Sequence, residues 1–405
     1  MLIRRKFSQL NLDRPKVNMN TTSSIRLMSL RSLLQQSIET KFIWLFQSNT
    51  KLLDRIQCYE WIPYSDEILL SLENAFKKGA DKIFIDEVHH IDFIELLELS
   101  INDPTHRRPV RRCLMNESSE IERRLNVDFF RCDRLSFPLL MNLQQNTFVD
   151  TAYHGSKFVR DWLLKFTNGK LEVKYDHIFP ALIEGLIFEG RNEPRTTVDE
   201  IIRMLNSSKD ESLKADEHKR MKNLQDCCIK LYTKQCFLFR LVNTALRDDD
   251  RTKLDTLGPY CYLVYSCIGR PMSKQRLLQK LNRKKSKTMT VYRGDYAPRK
   301  MIEEYRQAVG QKDKYFKWLP FVSTSMDRLV AELFALNVFY IIAIKRYLSM
   351  DQYADLEKNT YFESEQEVIL KPGTRFQVIS IDVDDVSGRQ VVHIKIIPSY
   401  ISILR

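Results

Sequence analysis

Tyr361-Phe362-Glu363-Ser364-Glu365-Gln366-Glu367-Val368-Ile369-Leu370 decides how the C-terminal half of the chain reads. Two glutamates two residues apart lead into an apolar Val-Ile-Leu run, and Lys371-Pro372-Gly373 closes it with turn residues. Side chains at i and i+2 of an extended strand share a face, so Glu365 and Glu367 are expected to point into one space. Taken alone, such a pair is more often the charged fringe of an edge strand than a site of chemistry. Its meaning depends on what stands before it.

Working outward, residues 288–292, 318–325, 338–344, 366–370, 375–383 and 389–397 read as strands. Before them, 228–247 reads as one helix with Thr233 near its start, ended by Asp248-Asp249-Asp250. Residues 260–268 form a second apolar segment bounded by Gly258-Pro259 and Gly269-Arg270-Pro271. Helices followed by a β-rich block argue for an α+β fold rather than alternating α/β.

Three strand ends then stand in order: Val291-Tyr292-Arg293-Gly294, Phe321-Val322-Ser323-Thr324-Ser325 and Glu365-Gln366-Glu367. They supply a fixed cation beside a glycine, a hydroxyl and a carboxylate pair. An arginine there can hold a dinucleotide diphosphate, and Gly294 lets backbone approach a flat ring. A carboxylate facing a sugar can stabilise an oxocarbenium ion as a leaving group departs. The bland alternative is a surface ion pair at Arg293 and edge-strand filler at the serines.

In this order and spacing, roughly residues 230–398 resemble the arginine-specific ADP-ribosyltransferases of the Arg-Ser-Glu class. The resemblance implies a helical N-terminal part plus two packed β-sheets, with NAD as co-substrate and no metal. It implies that Arg293 orients NAD, and that Ser323 positions Glu367 on the nicotinamide ribose 2′-hydroxyl, where it stabilises the cation. Glu365 would receive the acceptor guanidinium and Phe362 would be the aromatic of the substrate-recognition turn. Phe334 would stack on the nicotinamide ring or serve the core. The implied reaction moves ADP-ribose from NAD to arginine side chains of proteins, releasing nicotinamide. A catalytically inactive binding module and an NAD glycohydrolase are the alternatives.

Upstream, residues 42–113 carry Trp44, Trp61, the run Leu72-Glu73-Asn74-Ala75-Phe76, the pair Asp92-Phe93 and a terminal Arg108-Pro109-Val110-Arg111-Arg112. An amphipathic helix with Leu69, Leu72, Ala75 and Phe76 on one side runs between Ser65 and Gly79. This segment resembles the WWE domain, a small α+β unit, which implies an iso-ADP-ribose pocket with Trp61 at the adenine and Arg108 at a phosphate. Poly(ADP-ribose) is the implied partner. Phe46, His89 and Glu98 stand where ligand-binding members often carry tyrosine, tyrosine and glutamine, and Glu98 sets a negative charge against a diphosphate. Trp44 reads as core. His89-His90 beside Glu87 offers too few ligands for a metal.

The chain therefore divides into a basic, disordered arm (1–38), a WWE-like domain (40–115), a helical intermediate region (116–225) and the ADP-ribosyltransferase catalytic domain (226–402). In the intermediate region, 158–166 reads as a helix closed by Asn168-Gly169, 178–187 as a second, and Thr197 with Asp199-Glu200 begins a third. Residues 207–223 are charged enough for an exposed helix or a linker, and His154-Gly155-Ser156 reads as a turn. Within the arm, residues 25–34 could form an amphipathic helix, so a mitochondrial presequence is the alternative to a disordered arm.

At 405 residues the chain has room for more than one core. No apolar run approaches the ~18 residues of a membrane span, so no membrane partner is expected. The eight cysteines lack Cys-x-x-Cys spacing and a preceding secretory signal, so reduced thiols and an intracellular setting, cytoplasmic or nuclear, are expected. The net charge of +12, with basic runs at 107–112 and 274–287, suits a polyanion without indicating nucleic acid specifically.

Overall fold

The computed structural model describes residues 42–48, 61–114, 136–142, 155–234, 236–268, 288–345, 352–356, 359–362 and 365–397. The basic arm, His154 and the basic run 274–287 lie outside the described residues.

The first unit comprises β1 (Phe42–Gln47), β2 (Trp61–Pro63), α1 (Asp66–Lys77), β3 (Lys82–Phe84), β4 (His89–Asp92), β5 (Leu97–Ser100) and β6 (Arg107–Leu114). Its strands form one antiparallel sheet in the order β2-β1-β6-β5-β4-β3. Trp44, expected in the core, is fully buried and packs edge-on against Phe76 of α1 at 5.5 Å between ring centroids. Its indole N–H donates to Glu73 at 3.2 Å. Arg112 donates to both oxygens of Glu73 at 2.9 and 2.8 Å, and its guanidinium lies over the rings of Phe42 and Phe76. A tryptophan, a glutamate and an arginine thus satisfy one another inside an apolar core, where an unpaired charge would be costly.

The helices are α2 (Lys157–Phe166), α3 (Tyr175–Glu189), α4 (Arg195–Glu211), α5 (Glu217–Thr233), α6 (Phe237–Arg247) and α7 (Leu254–Cys267). They share a single core that also takes Phe321, Leu356 and Ile369 from the strands, so it is continuous across residue 226. The helix expected over 228–247 is two helices. Thr233 ends α5, where its hydroxyl donates to the Lys230 carbonyl and accepts from the Tyr361 amide, and Lys234 is extended. Gly258-Pro259, read as a boundary, lies inside α7. A Cβ on Gly258 would meet Trp162 Cδ1 at 2.1 Å, so this glycine admits a close crossing of α2 and α7. That packing holds the helix across the hydrogen bond that Pro259 forgoes.

The second sheet comprises β7 (Leu139–Asn142), β8 (Thr288–Asp295), β9 (Lys314–Lys317), β10 (Val322–Ser325), β11 (Val338–Lys345), β12 (Tyr353–Asp355), β13 (Glu367–Leu370), β14 (Arg375–Val383) and β15 (Gln390–Ile396). Helix α8 (Arg299–Ala308) follows β8 and a short α9 (Arg328–Leu333) follows β10. The order is β12-β13-β10-β8-β11-β15-β14-β9-β7, with only the β11–β15 pairing parallel among the described strands. Two packed sheets were expected, and the ladder is instead continuous. Yet β10 and β8 share one residue pair, Ser325 with Tyr292, so the sheet nearly parts there. Residues alternate between two cores: Phe321 and Ile369 enter the helical core, whereas Val322, Val368 and Leu370 enter the core of Trp318, Tyr340 and Phe376.

The first unit docks on this sheet through its β4–β5 turn. Asn337, fully buried, donates to the carbonyls of Ile94 and Ala297. Glu95 accepts from Tyr296 Oη at 2.6 Å, from Arg107 at 2.8 Å and from the Arg299 amide at 3.1 Å. Arg112 also donates to the carbonyls of Asp385 and Val386, both at 2.6 Å. Replacing Arg112 by alanine strands the Glu73 carboxylate and these carbonyls. The expected loss is about 3–5 kcal/mol of unfolding free energy, measured by urea denaturation; a loss under about 1 kcal/mol would contradict the buried-pair account.

Candidate active site

The site sits where β8 and β10 separate. Arg293, near the end of β8, is buried, and its Nε donates to Asp295 Oδ2 at 2.9 Å. Its Nη1 donates across the parting to the Ser323 carbonyl at 2.8 Å. Ser323 Oγ donates to Glu367 Oε1 at 2.5 Å, a short bond of the hydroxyl-to-carboxylate kind. Ser323 lies opposite Ile369 in the β10–β13 register, so its hydroxyl reaches Glu367 along the diagonal of one sheet face. Arg293, Ser323 and Glu367, far apart in sequence, are therefore one hydrogen-bonded series.

Glu365 reaches the same place by another route. Strand β13 begins at Glu367, and Gln366 has φ of +45°, a left-handed conformation that breaks the strand alternation between the two glutamates. The expectation that both share a strand face is thereby corrected. The turn is held because Ser325 Oγ donates to the Glu365 carbonyl at 2.5 Å and accepts from the Asp327 amide at 2.9 Å. Glu365 lines an open cleft together with Arg293, Gly294, Ser323, Ser325 and Phe334.

Gly294 forms the floor. A Cβ there would lie 2.2 Å from the Ala335 nitrogen and 2.4 Å from the Ala331 carbonyl oxygen, both backbone atoms of the segment carrying α9. Asp327 caps α9 by accepting from the Leu329 amide at 2.9 Å. Phe334 follows the helix and faces the cleft. Phe362 is half-buried, and its amide donates to Thr360 Oγ1 at 3.1 Å. Next to it, the Tyr361 ring packs beneath Lys230 and Lys234 of the helical layer.

Two residues the sequence reading missed hold Arg293. Asp295, two positions on, shares its strand face, and the i+2 spacing was the available signal. Ser136 Oγ donates to Asp295 Oδ2 at 2.5 Å and accepts from the Trp318 indole at 3.0 Å. Nothing local marks Ser136, which arrives from a segment more than 150 residues upstream. The Arg293 guanidinium is thus held in a buried polar relay rather than left to sample rotamers.

Trp61 and Arg108 stand away from this cleft, on the N-terminal sheet. Arg111 lies over the Trp61 ring at 4.9 Å, and Arg108 lies over Phe46 at 4.2 Å while donating to Glu98. Arg108, expected at a ligand phosphate, is therefore engaged by its own chain. Glu98 is fully buried and neutralises it, where repulsion of a diphosphate was the expected consequence.

Residues 204–395 match the family model described as NAD:arginine ADP-ribosyltransferase. The match spans a little under half of the chain and supports an NAD-using ADP-ribosyltransferase domain in this part of it. No curated protein matches the chain. Among solved structures, the type III effector XopAI from Xanthomonas axonopodis pv. citri is 16% identical with a TM-score of 0.40, over 60% of this chain and 97% of that one. The ADP-ribosyltransferase HopU1 of Pseudomonas syringae pv. Tomato is 16% identical with a TM-score of 0.35, over 54% of this chain and 95% of that one. Exoenzyme S from Pseudomonas aeruginosa is 14% identical with a TM-score of 0.32, over 54% and 88%. At these scores the likenesses carry no weight for the chemistry, which rests on the site's own residues.

Because backbone atoms surround Gly294, Gly294→Ala is expected to displace α9 and abolish NAD turnover, with the melting temperature lowered. A variant with wild-type turnover and melting would show that the floor yields.

Proposed function

We propose that the domain transfers ADP-ribose from NAD to arginine side chains of proteins. The observation that carries the reading is the series Arg293–Ser323–Glu367, of which Arg293 and Ser323 line the same cleft as a second carboxylate, Glu365. Arg293, locked by Asp295, would hold the diphosphate. Glu367, oriented by the Ser323 hydroxyl, would take the nicotinamide ribose 2′-hydroxyl and stabilise positive charge developing at C1′. Cleavage of the C1′–N bond returns its electron pair to the pyridinium ring, so nicotinamide leaves neutral. Glu365 would orient the acceptor guanidinium, whose nitrogen bonds to C1′ and gives up one proton. Phe334 and Gly294 would receive the nicotinamide ring, and Phe362 would meet the acceptor protein.

Release of nicotinamide from NAD, with and without agmatine as arginine analogue, tests the assignment. Agmatine-dependent release with modified agmatine is expected. Release without modification would favour an NAD glycohydrolase, and no release by folded protein would favour a binding role. Glu367→Gln is expected to lower turnover by about 10²–10³-fold. Glu365→Gln should cost transfer to agmatine while NAD hydrolysis persists, and parallel loss of both would remove Glu365 from the acceptor side.

We also propose that the N-terminal sheet is a WWE-type unit that meets protein partners rather than poly(ADP-ribose). Its support is the pairing of Arg108 with Glu98 inside the chain. Titration with iso-ADP-ribose is expected to give no binding heat; saturable binding lost in Arg108→Ala would reverse this reading.

A further inference from the structure

A different feature of the N-terminal sheet points to a ligand of another class. His89 begins β4, Glu98 lies on β5, and His106 immediately precedes β6, so three adjacent strands bring them together. One ligand atom from each lies within 4.8 Å of the others. His106 Nε2 is 3.0 Å from Glu98 Oε1, and the two imidazole rings lie with centroids 4.9 Å apart and planes tilted by 46°. Zinc held at about 2.0–2.2 Å by nitrogen and oxygen keeps tetrahedral ligands roughly 3.4 Å apart. Glu98 and His106 need almost no movement to meet that spacing, and His89, a third exposed, can swing the remaining distance.

The surroundings favour a cation. His89 Nδ1 is 2.8 Å from Asp86 Oδ2, which leaves Nε2 as the metal-facing nitrogen, the arrangement in which a carboxylate orients a ligating histidine from behind. Asp86 Oδ1 in turn accepts from the amides of Val88 and His89 at 2.7 and 2.6 Å, so the orienting carboxylate is itself fixed. Tyr64 Oη donates to the far oxygen of Glu98 at 2.7 Å and keeps that side chain in place. The opposing group is Arg108, whose guanidinium shares Glu98 Oε1. It lies over the Phe46 ring, so it retains a partner if it releases the carboxylate.

We propose that His89, Glu98 and His106 bind one divalent late first-row transition metal ion, with Zn²⁺ the chemistry that two imidazoles and a carboxylate favour, and with Arg108 as the competing internal cation. A fourth position faces the open side, where His89 is exposed, and takes water. An ion there ties β4, β5 and β6 together next to Arg107, which anchors the docking turn. The inference stands independently of the transferase assignment, because the site lies outside the cleft.

The test uses the full chain, stripped with chelator and dialysed against Zn²⁺ or Co²⁺. One equivalent of zinc by elemental analysis, a rise in melting temperature with Zn²⁺ and visible Co²⁺ bands of low coordination number are expected. His89→Ala and His106→Ala should abolish all three, and Asp86→Asn should weaken affinity by about 10–100-fold. Glu98 is fully buried, so its variants are poor probes of binding. Arg108→Gln is more telling: it removes the competing charge and should tighten binding. Folded wild-type protein that takes up no metal, uptake unchanged in both histidine variants, or an Arg108→Gln variant that binds no more tightly would each overturn the proposal.

Discussion

The structure turns on the parting of β8 from β10 after a single shared pair. A sheet that continued its ladder would consume the backbone groups of both strands and fill the space between them with side chains. Instead, the Arg293 guanidinium spans the gap to the Ser323 carbonyl, substituting a side-chain donor for the missing ladder bond. Gly294 contributes no Cβ, and the residues around α9 close in until backbone meets backbone. The opening is thus walled by polar groups already satisfied, which lets a charged residue remain buried without an outside partner.

Fixing that arginine requires parts of the chain remote from it. Trp318, Ser136, Asp295 and Arg293 form an unbroken series of donors and acceptors, all buried. Ser136 belongs to the same described segment as β7, which extends the second sheet at its far edge. On the other side, Tyr296, Ala297 and Arg299, the residues after Asp295, are gripped by Glu95 and Asn337 at the docking turn of the first unit. Segments N-terminal to the family-matched residues therefore help set the geometry of the cleft.

Much of this was readable from the chain because it is local. The order of the three strand-end motifs, the helix over residues 66–77 and the strand alternation everywhere but at Gln366 follow from neighbouring residues, and folding left them intact. What escaped was set by tertiary packing. Gly258-Pro259 has the composition of a break, yet the glycine is there for Trp162 to pass. Thr233 looks like a helix beginner, yet it ends α5 because its hydroxyl serves both the helix and the turn at Tyr361. Ser136 has no signature, since it meets Asp295 from a segment remote in sequence, and the approach of His89 to His106 depends on the pairing of β4, β5 and β6. Asp295 was accessible from its spacing, but its weight depends on a serine that the sequence does not connect to it.

The two glutamates show how local backbone shapes chemistry. In a regular strand they would share a face as like charges, and one would resist ionisation beside the other. Left-handed backbone at Gln366, a conformation costing about 1–2 kcal/mol for a residue with a Cβ, turns Glu365 out of that register. Its carbonyl then takes the Ser325 hydroxyl, and its side chain faces the open cleft, while Glu367 stays buried under Ser323. The strain is held by surrounding hydrogen bonds, as strained backbone at functional sites commonly is. Two identical side chains thereby acquire different environments: one dry and tied to a hydroxyl, the other half-exposed at the mouth. The reaction proposed above, which steadies a cation inside and receives an acceptor from outside, would use that asymmetry, and one left-handed residue supplies it.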